Sequence, residues 1–152
     1  MAITASEARE QILDDLAAAI DQIALAIASL GEAYDRLSVT SADRLEADLF
    51  RPTQKAFGRS KRTHAQFAER NGFAGRQFAS PSAGAQSQSV KDLVEQAVTV
   101  STIANRQIAD LQDSMLPIEF GDPELRTGLA EVRTLLDQLP GTAREFLRTL
   151  GR

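Results

Sequence analysis

The chain has 152 residues, 43% of them hydrophobic and 25% charged, with a net charge of −4 and no cysteine. That length suits one domain with a core of its own, and the missing thiol excludes disulfides, thiolate metal sites and cysteine nucleophiles. Aromatic residues are few, seven Phe and one Tyr with no Trp, while Ala and Leu abound, a balance that favours helices over sheets.

Three further features bound the setting. Fourteen Arg against three Lys suggest a bacterial, GC-rich genome. The opening MAITASEAREQ lacks the basic and apolar regions of a secretory signal. The longest apolar run, IALAIA at 23–28, is too short to cross a bilayer. A cytoplasmic protein without membrane contact is therefore expected. Charge is unevenly placed. Residues 1–50 hold ten acids and three bases, residues 51–76 seven bases and one acid, and residues 77–152 ten acids and seven bases. A basic island sits in an acidic chain.

The first predicted helix covers 5–38. Leu13, Leu16, Ile20, Ile23, Ile27, Leu30, Tyr34 and Leu37 recur in steps of three and four, the seam of a helix facing other helices. Small residues flank it (Ala17, Ala24 and Gly31; Ala19, Ala26 and Ala33), so a neighbouring backbone can come close. Asp14, Asp15, Asp21, Glu32 and Asp35 point outward, with Leu25 as the apolar exception.

The second covers 41–70, capped by Thr40 or Ser41. Its inward line reads Ala42, Leu45, Leu49, Thr53, Phe57, Ser60, His64, Phe67. One extra residue enters the phase near Pro52, where proline removes a helical hydrogen bond, so a kink is expected at 49–53. Asn71 or Gly72 ends the helix. The Gly/Ser/Ala/Gln tract that follows has no seam and reads as a flexible loop over 72–87, with Phe73 and Phe78 pinning its first part.

The third helix, over 88–118, has the seam Val90, Val94, Ala97, Ser101, Ala104, Ile108, Leu111, Met115, Ile118. Asp122 is placed to cap the fourth and Pro123 to open it. That helix, over 123–149, buries Leu125, Leu129, Val132, Leu136, Leu139, Ala143, Phe146 and Leu150. The phase survives Pro140, while Thr142 and Glu145 resemble a capping box, so a second kink is expected there. Together these segments predict an all-α single domain over 1–152. Its form is an antiparallel up-down four-helix bundle, kinked near Pro52 and Pro140, with a long loop between helices 2 and 3.

Catalytic chemistry finds few candidates. Di-iron bundles need Glu-x-x-His pairs, but Lys61 stands three residues before the only histidine, His64. Histidine-ligated zinc or haem sites lack ligands for the same reason. A Ser-His-Asp triad has Ser60 and His64 but no seam carboxylate to orient the ring. Phosphate-loop and dinucleotide glycine patterns are absent, and GFAG at 72–75 has KH-loop spacing without the strands to hold it. The small helical secretion substrates with a Trp-x-Gly turn are no match, since the chain has no Trp. No enzyme, cofactor or metal is expected.

Two residue sets remain. Thr53, Phe57, Ser60, His64 and Ser101 form a candidate polar pocket in the core, suited to sensing a small ligand or, more simply, to hydrogen-bonded core packing. Arg51, Lys55, Arg59 and Arg62 share the outward face of helix 2 and Lys61 flanks the seam, forming a candidate interaction face. Its readings, in order, are a solvated face, a contact with an acidic protein surface, and a nucleic-acid or polyanion contact. The last is disfavoured by the negative net charge and the lack of stacking aromatics on that face. The expectation is a non-enzymatic helical-bundle protein acting through protein–protein contact, chiefly self-association as a homodimer.

Overall fold

The computed structural model describes residues 2–84 and 88–150, and among them every regular element is helical. The four helices expected, two of them kinked, are instead six α-helical segments and a π turn. They are α1 (Ala5–Asp35), α2 (Val39–Leu45), the π turn Glu46–Phe50, α3 (Arg51–Arg70), α4 (Val90–Asp113), α5 (Leu116–Glu119) and α6 (Pro123–Leu150).

Local chemistry explains the boundaries. Thr4 accepts the Glu7 amide at the start of α1, and Ser89 accepts that of Asp92 at the start of α4. Ser38, not Thr40 or Ser41, caps α2, accepting the Ser41 amide at 3.4 Å. The phase slip near Pro52 is taken up one turn earlier, where the Arg51 N–H reaches back five residues to the Glu46 carbonyl. Such a turn absorbs one extra residue without ending the helix, so the run Val39–Arg70 is continuous. Leu45, Leu49 and Thr53 stay buried through the slip. α6 likewise continues through Pro140, and Thr142 starts no new helix.

The third seam ends sooner than expected. Met115 takes a left-handed φ of 67°, a conformation uncommon for a side-chain-bearing residue. It stops α4 and turns the chain, leaving Met115 46% and Ile118 57% exposed, while Pro117 is buried. Tyr34 is also exposed, and Leu25 is half-buried rather than outward. The other inward positions of α1, α3, α4 and α6 are buried or half-buried, including all eight named in α6.

α1 packs against α3 and α4, and α6 against α3 and α4, so α1 and α6 stand diagonally. Cross-links give the directions. Arg9 near the start of α1 donates to the Phe120 carbonyl beyond the end of α4. Arg70 at the end of α3 binds Asp122 at the start of α6, and Arg44 donates to Thr149. Asn105 with Asp137, and Gln112 with Arg133, join α4 to α6 in the same antiparallel sense. Neighbours are thus antiparallel, but α3 and α4 run the same way, which corrects the simple up-down alternation.

The segment after α3 makes this order possible. Residues 73–84 carry no regular structure, and twelve extended residues span about 40 Å, most of the roughly 46 Å of α1. The segment climbs along α1 as a strap. Phe73, Phe78 and Ala83 pack on the core, Arg76 meets Asp21 at 4.0 Å, and Gln96 donates to the Ala83 carbonyl at 3.1 Å. The pinning by Phe73 and Phe78 is as expected; the last residues of the expected loop, 85–87, lie outside the described residues.

Candidate functional site

The basic stretch divides. Arg51, Lys55 and Arg62 are exposed along α3, and Arg51 has only a loose 3.9 Å contact with Glu46. Lys55 and Arg62 have no ion pair among the described residues. Arg59 does not share that face. Its side chain is 22% exposed and bonded to Glu131 of α6 at 2.5 Å, and it also donates to Thr63, whose hydroxyl returns a bond to the Arg59 carbonyl. Lys61 folds over the Phe57 ring, 4.1 Å from its centroid.

The polar core residues do not share one pocket. Thr53 and Ser101 line a cavity of about 10 Å³ with Leu30, Leu49, Val94, Ala97, Val98, Leu139 and Ala143. That is room for about one water. The Thr53 hydroxyl donates to the Leu49 carbonyl and that of Ser60 to the Phe57 carbonyl, the local back-bonding that lets a hydroxyl sit inside a helix. Ser101 Oγ has no partner among the described residues. Phe57, Ser60 and His64 lie outside this lining.

His64 instead sits under the strap. It is buried, its ring meets Phe78 edge-on at 5.4 Å, and its Nδ1 has no hydrogen-bond partner among the described residues. Burial holds its pKa below the ordinary 6.5, and the Arg76 guanidinium pushes the same way. A hydrogen bond with the Leu13 backbone and the Asp14 carboxylate oppose them without prevailing. The neutral imidazole is therefore the stable form in the fold.

A wide groove was not foreseen from sequence. A groove of about 580 Å³ opens between the last turns of α1, the π turn and the strap. Ala28 and Gly31 form its small-residue floor; Glu32, Tyr34, Asp35, Glu46 and Phe50 form its walls, and Pro81, Ser82 and Ala83 its strap edge. Gly31 faces the Phe50 ring, where an added Cβ would lie at 3.8 Å. The sequence signal lay in the slip near Pro52: the π turn that absorbs it is the element that carries Glu46 and Phe50.

α1 is long and apolar enough, by length and composition alone, to cross a membrane; here its apolar side is core, packed on α3 and α4. No protein-family model, no curated protein and no solved structure matches the chain.

Proposed function

We propose that this chain is a non-enzymatic, cytoplasmic protein that works by protein–protein contact, with a second copy of itself as partner. In this reading the run Val39–Arg70 acts as one rod, and the working unit is an antiparallel four-helix bundle with the strap as its crossover. The observation that carries the reading is a mismatch of charge within one copy. Lys55 and Arg62 are exposed and unpaired among the described residues, while α1 exposes Glu7, Asp14 and Asp21 on a seven-residue spacing. A seven-residue spacing keeps side chains on one face of a helix. Among the described residues only Asp21 of the three has an ion pair within the chain, with Arg76.

A two-fold axis parallel to α3 sets the basic stripe of each copy against the acidic stripe of the other. The same basic-to-acidic contact is then made twice. Opposed stripes of this kind steer association and weaken with salt. Light scattering after gel filtration tests the proposal. A dimer at low salt that dissociates as salt rises, and is lost in the Lys55→Glu/Arg62→Glu double variant, is expected. A monomer at both salt concentrations contradicts it. Tight, salt-sensitive binding of a DNA duplex, lost in the same variant, would replace the second copy with a polyanion.

A further inference from the structure

The groove beside the π turn has a chemistry of its own, independent of whether two copies associate. We propose that it is a binding site for a small organic cation with an apolar, aromatic body.

Size comes first. A volume of about 580 Å³ lies within the roughly 300–1,000 Å³ of small-molecule sites. Electrostatics come next. Three carboxylates face the groove, and two are partly answered, Glu32 by Arg36 at 3.0 Å and Glu46 by Arg51 at 3.9 Å. Asp35 has no hydrogen bond or ion pair among the described residues. No group of three His or carboxylate side chains among those residues is disposed to hold a metal ion. The negative charge is spread along a wall, which suits a cation bound by charge and shape rather than by coordination.

The rings supply the rest. Phe57, Phe67, Phe78 and Phe146 each already carry a cation of the chain, from Lys61, Arg70, Arg76 and Arg44. No such pair is formed by Phe50 or Tyr34 among the described residues, yet both line the acidic groove. A cation over an aromatic face is attracted by its quadrupole, more strongly when partly desolvated. Ala28 and Gly31 let an apolar body lie against α1, and the strap residues Pro81–Ala83 cover its edge. The π turn turns Glu46 and Phe50 toward this space while Leu45 and Leu49 remain in the core, and turns of this type recur at functional sites.

Titration calorimetry of the full chain with naphthylmethylammonium, against uncharged naphthylmethanol and anionic naphthylacetate, tests the site. Saturable one-to-one binding of the cation is expected, with weaker binding of the alcohol and none of the acid. Asp35→Asn, an exposed and nearly isosteric change, is expected to weaken the cation about fivefold and to leave the alcohol unchanged. Ala28→Leu, which fills the floor, is expected to abolish both. Amide NMR shifts at Gly31, Tyr34 and Ser82 on addition of the cation locate the site and report that each variant is folded. Cation binding no tighter than that of the alcohol, binding indifferent to both substitutions, or no saturable binding of any probe overturns the proposal.

Discussion

α3 meets its two neighbours in different ways. Toward α6 the helices touch directly: Thr63 fills the space over Gly128, where an added Cβ would overlap its side chain. Arg59–Glu131 and Arg70–Asp122 close the edge of that contact. Toward α1 the helices pack too, but the edge of the contact is closed indirectly. The strap lies over the junction, shields His64, and leaves the groove open near the π turn. A glycine and two ion pairs produce a tight seam, whereas a borrowed extended segment produces a face with a buried unpartnered nitrogen and a cavity. The binding chemistry lies on the second face because the first has no room for it.

The largest effect is expected at the tight seam. Gly128→Ala gains helix propensity but forces α3 and α6 apart, and overpacking of this kind costs about 1–3 kcal/mol. Urea unfolding measures it, and Thr63→Ala in the same chain is expected to recover part of the loss. Next comes Asp122→Ala. Asp122 accepts the Leu125 amide at 2.8 Å and two bonds from Arg70; losing a cap costs about 1 kcal/mol, and the half-exposed ion pair adds less.

Asp122 also carries a pH dependence. Burial raises its pKa, but the bonds from Arg70 and Leu125 outweigh that and hold it below the ordinary 3.8. Its contribution is therefore full above about pH 4 and is lost as pH falls through the lowered value. On the strap face, Phe78→Ala is expected to cost about 1 kcal/mol, since only part of the ring is buried, and to expose His64 to solvent.

His64 gives the sharpest contrast between the faces. Because its folded pKa is lowered, the unfolded chain binds the proton more readily, so its contribution is full above about pH 6.5 and declines as pH falls. His64→Gln is expected to flatten denaturant midpoints between pH 7 and 5; an unchanged slope contradicts the burial of this ring under the strap. The smallest effect is at Glu131→Gln, on a half-exposed pair, under about 1 kcal/mol and reduced by salt.

Much of this was legible in the sequence for a physical reason. Helical periodicity reports burial directly, so the α6 seam and the line Leu45 to Phe67 follow from spacing alone, and the extra residue near Pro52 announced a distortion. Asp122 and Pro123 act locally, and local signals survive without tertiary knowledge. The rest depends on which element lies beside which. Arg59 looks outward until α6 is placed next to α3, where Glu131 claims it. The periodic run through Met115 and Ile118 gave no warning of the left-handed turn that ends α4. The tract at 72–89, having no seam, fitted either a hairpin loop or a strap, so the relative direction of α3 and α4, and with it the groove, stayed hidden.

That direction is the claim on which the strap, the buried His64 and the groove all rest. The cysteine-free chain permits a clean distance measurement between spin labels at Glu69→Cys and Lys91→Cys, both exposed sites. With α3 and α4 running the same way, the labels stand at opposite ends of the molecule, roughly 35–40 Å apart. A distance below about 20 Å would mean that the chain reverses between these helices, and would contradict the account.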